Sequence, residues 1–290
     1  MKSSKLLVSI AVMLFSCTHF NGLFASSTDS LTLVNAQWKI QEVAKGLTLK
    51  SYHFTDEKLF DSNQYITIIE VKLQELDDSL KPDIVAVNGL RFTSTTAAAT
   101  AATAAINGSY FNIYPPYNST NYVRVDGEQI APNKPTKDNI RLSTQNGTIV
   151  IDGRNVSIVE PDKRIDSEVE IEGEDILTSG PLLRINGVDQ IIIDESHFFG
   201  RHPRTAIAIR EDGSLLLITI DGRNAEADGV TIPEMQRLVA WLGAKDALNL
   251  DGGGSSTMWI QDLGVVNHPS DNKKFDRNGE RKVSNMIVIR

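Results

Sequence analysis

Short apolar runs separated by Gly-, Asn- and Asp-containing turns dominate this chain, and one segment carries a clear helical period. Residues 65–73 are rich in β-branched side chains and read as a largely buried strand. Residues 84–87 form a second strand, closed by an Asn88-Gly89 turn. The Thr/Ser/Ala tract 93–105 predicts a short helix capped by Ser94, whose end feeds a strand from Ala104. The polar stretch 114–135 is long enough for a lid or rim. Beyond Ile140, strands alternate with turns at Gly147, Asp152-Gly153 and Asn186-Gly187. Residues 205–210 and 215–220 flank Asp212-Gly213 as a hairpin, and 283–289 form a last strand. The helix is marked by a Thr231/Glu234 capping box with Pro233 in its first turn. Met235, Leu238, Val239 and Leu242 follow at helical spacing, and Gly243 stops it. Many strands and few helices predict an α+β fold, a single domain around a mixed, largely antiparallel sheet.

The first 27 residues read as an export signal. Lys2 and Lys5 precede an apolar run, 6–15, too short to span a bilayer. Cys17 follows Leu14-Phe15-Ser16 in the manner of a lipobox. Two readings stand: a lipid anchor on Cys17, or ordinary cleavage near Ala25-Ser26-Ser27 with Cys17 discarded. Either predicts an exported protein: a periplasmic or outer-membrane lipoprotein, otherwise a secreted one. Residues 28–60 read as a leader and first strand, and 60–290 as the functional domain. No cysteine follows position 17, which excludes a disulfide or thiol chemistry in the mature fold. A net charge of −8 argues against nucleic acid, whose binding needs cationic contacts to phosphate. Membrane contact is expected only through the Cys17 anchor.

Chemistry concentrates at 248–257, where an apolar strand runs into Asp251, three glycines and a row of hydroxyls. Successive N–H groups in such a turn can form an anion-binding nest, here over Gly252, Gly253, Gly254 and Ser255. The 215–220 strand ends likewise in Asp221-Gly222-Arg223. If the two strands are neighbours, both aspartates share one sheet edge. Arg204, after Pro203, offers a planar fork suited to phosphate. His202 is either a catalytic acid or a packing or phosphate contact. Arg223 is either a second phosphate clamp or an ion-pair partner of Asp221. Asp221, Asp251, Asn107 and Asn249 could also hold Ca²⁺ or Mg²⁺, which take oxygen ligands.

Asn107-Gly108-Ser109-Tyr110-Phe111, Ser179-Gly180-Pro181, Pro203-Arg204-Thr205-Ala206, Asp221-Gly222-Arg223, 248–255 and Val283-Ser284-Asn285 resemble the phosphodiester glycosidase family, in order, over roughly 60–290. Ser109 and Ala208 stand where that family usually carries glycine. The resemblance implies hydrolysis of the sugar C1–O bond of sugar-1-phosphodiesters, such as GlcNAc-1-phosphodiesters, releasing free sugar and a phosphomonoester. It makes Asp251, Asp221, Asn107 and Arg204 the catalytic candidates. Gly108, Ser109, Tyr110, Gly180, His202, Thr205, Arg223, Asn249, Gly252, Gly253, Gly254, Ser255 and Asn285 become the substrate- or phosphate-binding ones. Asn107 and Tyr110 would meet the sugar from an exposed turn, with either Asp251 or Asp221 facing the reacting carbon. A phosphodiesterase cutting P–O, and a non-catalytic glycan-binding lipoprotein, are the competing functions.

Overall fold

The computed structural model describes residues 21–136, 140–193 and 195–290, with backbone alone for 21–27. Cys17 and the signal up to residue 20 lie outside the described residues. In chain order the strands are β1 (Lys39–Ala44), β2 (Leu47–Leu59), β3 (Ser62–Val71), β4 (Pro82–Phe92), β5 (Ala104–Asn107) and β6 (Val123–Val125). Next come β7 (Glu128–Ala131), β8 (Gly147–Asp152), β9 (Asn155–Val159), β10 (Asp175–Ser179), β11 (Leu182–Ile185) and β12 (Val188–Asp189). The last six are β13 (Arg204–Arg210), β14 (Leu215–Ile220), β15 (Ala244–Asn249), β16 (Met258–Ile260), β17 (Gly264–Val265) and β18 (Lys282–Ile289). Helices are α1 (Asn21–Asn35), α2 (Thr93–Ala99), α3 (Ser196–Phe199) and α4 (Ile232–Trp241).

The strands form an eight-stranded sheet, β1-β2-β3-β14-β13-β15-β11-β12, and two five-stranded sheets, β7-β6-β10-β8-β9 and β17-β16-β5-β18-β4. Pairing is antiparallel at each described ladder, including the β13–β14 hairpin. The large sheet is buried on both faces, which explains its nearly continuous apolar strands. Leu215 and Leu217 of β14, with Ile207 and Ile209 of β13, join a core shared with the two smaller sheets. Alternate residues Leu216, Ile218, Ile220, Ala206 and Ala208 face α1, α3 and α4 instead. On that side Leu33, Phe198, Met235, Leu238 and Val239 complete the layer. Helix α4 starts as expected: Glu234 N–H donates to the Thr231 hydroxyl and Thr231 N–H to the Glu234 carboxylate. Gly243 ends it at φ +83°.

Four expectations are revised. Residues 21–35 form α1, whose Leu33 enters the core, and β1 and β2 pair into the large sheet. Asn88-Gly89 does not end the strand: β4 continues past it, with three extra residues between the partners of Val283 and Asn285. Gly89 lies in this irregularity of the ladder at φ +78°, a conformation that glycine adopts without strain. Ser94 lies inside α2 rather than capping it, and its N–H and hydroxyl both donate to Glu280. A carboxylate brought from the far end of the chain thus neutralises the positive helix terminus. Half of the expected rim, 114–135, is the β6–β7 hairpin.

The smaller sheets meet at a buried carboxyl pair. Asp175 accepts from the N–H groups of Asp126 and Ile84, and Asp83 accepts from Arg290. Burial, then the neighbouring Asp83 carboxyl, raises Asp175 to about 6. A raised folded value means the protonated form contributes stability below 3.8, and that contribution is lost as pH rises through about 6. Asp83→Asn offers Asp175 a permanent hydrogen-bond donor. Urea unfolding at pH 4.5, 6 and 7.5 should show a flatter pH dependence than in the wild type; an identical slope would mean that this pair does not set it.

Candidate active site

Strands β14 and β15 both run antiparallel to the strand between them, β13, so their C-terminal ends meet at the edge where β13 begins. Asp221 and Asp251 therefore share one edge, although the two strands are not direct neighbours. The Asn107 turn enters the same edge from another sheet. Gly108 carbonyl accepts from Asp251 N–H at 3.0 Å, and Asn107 Nδ2 donates to the Asp251 carbonyl at 2.7 Å.

Asn107 is fully buried, not an exposed turn amide. Its Oδ1 accepts from the Thr205 hydroxyl and from Thr257 N–H, both at 3.0 Å. With that proton committed, Thr205 Oγ1 accepts from the Ser256 hydroxyl at 3.0 Å. One side chain thus ties β5, β13 and the strand–glycine turn together, and it is hidden from a sugar. Gly108 N–H donates to the Asn285 carbonyl, and Ser109 N–H to Asn285 Oδ1 at 2.7 Å. Ser109, buried against Asn285, does not line an open pocket. Tyr110 donates to the Gly180 carbonyl at 2.8 Å, and Asn249 Nδ2 donates to both Tyr110 Oη and that carbonyl. Burial, then the charge of nearby Asp251, pushes the Tyr110 phenol well above its ordinary range, so it stays a donor.

The glycine run differs from an open nest. Gly253 N–H donates to the Pro203 carbonyl, Ser255 N–H to Gly252 and Ser256 N–H to Gly253. The run folds into a 3-10 turn, in which the serine amides bond back to the glycine carbonyls and the Gly253 amide is taken by Pro203. Its glycines instead admit two guanidiniums. Gly253, at φ +62°, would carry a Cβ 3.0 Å from Arg223 Nη2. At Gly254 a Cβ would fall 2.0 Å from Asp271 Oδ1 and 2.6 Å from Arg281 Nη2. Arg281 donates through Nε to Asp271 at 3.0 Å and also through Nη2.

Asp251 is half-buried at this point. Loss of hydration raises its pKa to about 6, opposed by the nearby Ser255 hydroxyl, Arg281, the Gly252 amide and Arg223. Asp221 is 1 % exposed and its oxygens are engaged. Oδ1 accepts from Asn267 Nδ2 at 2.9 Å, and Oδ2 accepts from His268 N–H and lies 2.8 Å from His268 Nδ1. Arg223 is exposed and pairs with neither oxygen. Arg204 is buried, with Nε on the Val230 carbonyl and Nη2 on those of His197 and Gly200. Desolvation lowers it to about 10. This fork holds protein carbonyls, the geometry of a structural strut. His202 is half-buried beside it, and burial, then the Arg204 and Arg223 charges, lowers its pKa and disfavours imidazolium.

Asp251, Arg223, Arg281 and the glycine turn therefore form the solvent-facing cluster. Asn107, Thr205, Ser109, Asn285 and Asp221 form its buried scaffold. Sequence reasoning missed Arg281, Asp271, Asn267 and His268, because they lie in a polar stretch that reads as solvated loop. Among the described residues no three His, Cys, Asp or Glu side chains converge as a metal site. The oxygen set wanted by Ca²⁺ or Mg²⁺ is not gathered, since Asp221 faces amides and imidazole while Asp251 faces guanidiniums.

The profile of the phosphodiester glycosidase family matches residues 100–290. The chain belongs to that family. Its fold resembles the catalytic domain of zebrafish N-acetylglucosamine-1-phosphodiester alpha-N-acetylglucosaminidase, a structure auto-inhibited by pro-peptide. TM-score is 0.63 at 19% identity, covering 87% of each chain. A protein from Synechocystis aligns at TM-score 0.62 and 15% identity over 87% of this chain and 63% of its own. The SPbeta prophage-derived protein YomE of Bacillus subtilis (strain 168) is 42% identical over 71 residues. That stretch is 24% of this chain and 11% of YomE, so the chain spans about a tenth of the curated protein that it matches.

Proposed function

We propose that this protein hydrolyses sugar-1-phosphodiesters at the sugar C1–O bond, releasing free sugar and a phosphomonoester. The observation that carries the reading is a carboxylate, Asp251, beside two guanidiniums, Arg223 and Arg281, at a glycine turn that gives side chains close access. An alcohol leaving group needs a general acid, whereas the phosphomonoester departs as an anion. Such a site needs anion handling and one negative charge facing the developing oxocarbenium ion. Asp251 takes the second role. Arg223, exposed and without an ion-pair partner among the described residues, takes the phosphate, with Arg281 behind it. Asp221 is the scaffold carboxylate of this reading.

Hydrolysis in ¹⁸O-water tests the bond cut. Label in the released sugar supports C–O cleavage; label in the phosphate makes the protein a phosphodiesterase acting at phosphorus.

The two arginines should separate cleanly. Arg223→Ala is expected to lower kcat/KM on a sugar-1-phosphodiester by about 10²–10³, with little change on a neutral aryl glycoside, since charged hydrogen bonds to phosphate are the strong ones. Arg204→Lys cannot satisfy three carbonyls in one plane and should cost stability of about 1–3 kcal/mol. Kinetics on both substrates, with denaturant melts, checks this. A substrate-selective loss from Arg204→Lys alone would reverse the two roles.

A further inference from the structure

The β4–β18 pair borders a cavity that the catalytic cluster does not use. Val87, Asn88, Gly89 and Leu90 of β4 have no assigned cross-strand partner, because β18 places Ser284 alone opposite the four of them. Here lies a cavity of about 380 Å³, walled by β4 and Ser284-Asn285, by residues 116–119 and by the β6–β7 hairpin. That volume falls in the range of small-molecule sites.

None of the lining residues is charged, in a chain of which 23% of residues are Asp, Glu, Lys or Arg. This argues against a phosphate or a metal ion as the occupant, since charged partners make those contacts strong. Val87, Val123, Ile130 and Ala131 supply apolar surface, and Tyr117 adds a ring that is 40% exposed. Tyr117 sits at φ +57°, left-handed backbone that a bulky side chain seldom adopts, and its N–H donates to the Tyr114 carbonyl at 3.0 Å. Backbone held in this way gathers at ligand clamps. The polar groups have capacity to spare. Asn88 is exposed, and its side chain makes no hydrogen bond among the described residues. Asn118 accepts at Oδ1 from Asn112 at 2.8 Å, while its own Nδ2 donates to no described residue. Ser284 Oγ accepts from Asn285 Nδ2 at 2.9 Å, which leaves the hydroxyl proton to donate.

We infer that this cavity is a second binding site, one that takes a neutral pyranose unit of a glycan and breaks no bond. A pyranose is uncharged, offers an apolar face to an aromatic ring and presents hydroxyls to amides, which is the chemistry of this lining. Strand order separates the site from Asp251. The path runs from β4 through β18 to β5, whose Asn107 is bonded to the Asp251 carbonyl. Three steps of about 4.8 Å put the two sites roughly 14 Å apart. Asn285 stands between them, with Oδ1 on Ser109 N–H and Nδ2 on Ser284. The inference does not depend on which bond the Asp251 cluster cuts.

Calorimetric titration of the full chain with cellobiose, mannobiose and N,N′-diacetylchitobiose, each at millimolar concentration, tests the site. At least one of the three should bind saturably. Tyr117→Ala and Asn88→Ala, both at exposed positions, should weaken that binding by about tenfold and about threefold, and Tyr117→Phe should retain it. Urea melts of the variants should match the wild type. Asp251→Asn and Arg223→Ala should bind the disaccharide as the wild type does. Absence of binding by all three sugars overturns the inference, as does binding that Tyr117→Ala leaves unchanged. Binding lost in Asp251→Asn or Arg223→Ala places the sugar at the catalytic cluster and also overturns it.

Discussion

Asp251→Asn is expected to lower turnover of a sugar-1-phosphodiester by at least 10³-fold while substrate still binds, because the lost charge acts on the oxocarbenium transition state and not on the ground state. The wild type should gain activity as pH rises through about 6, where Asp251 ionises, and the variant should lack that limb. Stability should move the other way. The folded value lies above the ordinary 3.8, so the fold favours protonated Asp251. That contribution is complete below 3.8 and lost as pH rises through about 6. At pH 7 the ionised carboxylate is therefore a cost, and the neutral amide should stabilise the protein by about 1–3 kcal/mol. Steady-state kinetics and urea melts from pH 4.5 to 8 check both halves. Wild-type turnover in the folded variant would remove Asp251 from the mechanism.

Asn107→Ala should damage fold and catalysis together. It strips partners from the Asp251 carbonyl, the Thr205 hydroxyl and Thr257 N–H, at a largely buried interface. Buried groups left unpaired cost about 1–3 kcal/mol each, and partial relaxation brings the sum to roughly 3–5 kcal/mol. For a chain of this size that lowers Tm by about 10 °C or more. The turn that carries Asp251 also loses its tether, so kcat should fall at least tenfold even at 15 °C, where the variant remains folded. Thermal melts paired with low-temperature kinetics read the two effects separately. An unchanged Tm would mean that Asn107 bears no structural load, contrary to its buried network.

The β13–β14 hairpin and α4 were legible because their signals are local. Asp212-Gly213 lies between two β-branched runs, and Thr231, Pro233 and Glu234 write a helix start within four residues. Asn88-Gly89 carries the same local signature as a turn, yet β18 pairs along both sides of it and makes it an irregularity within one strand. The Asp-Gly-Gly-Gly run and Asp221-Gly-Arg lie at one sheet edge, as the sequence led one to expect if their strands were close. Their composition could not say that the Gly253 amide is taken by the Pro203 carbonyl, or that Arg204 faces carbonyls while Arg223 is exposed. His268 and Arg281 gave no signal, since a histidine in a polar stretch acquires meaning only when a buried aspartate 47 residues away reaches its Nδ1.

By itself, the sequence determined the strand-rich class, the β13–β14 hairpin and the two ends of α4, because alternation, capping and glycine content act over a few neighbouring positions. The tertiary structure alone decided which candidates face solvent and which are scaffold. Asp221 and Asp251 end equivalent strands, but one is enclosed by Asn267 and His268 and the other stands beside two guanidiniums. That difference arises from contacts between segments far apart in the chain, and burial and charge are properties of those contacts, not of the residue types.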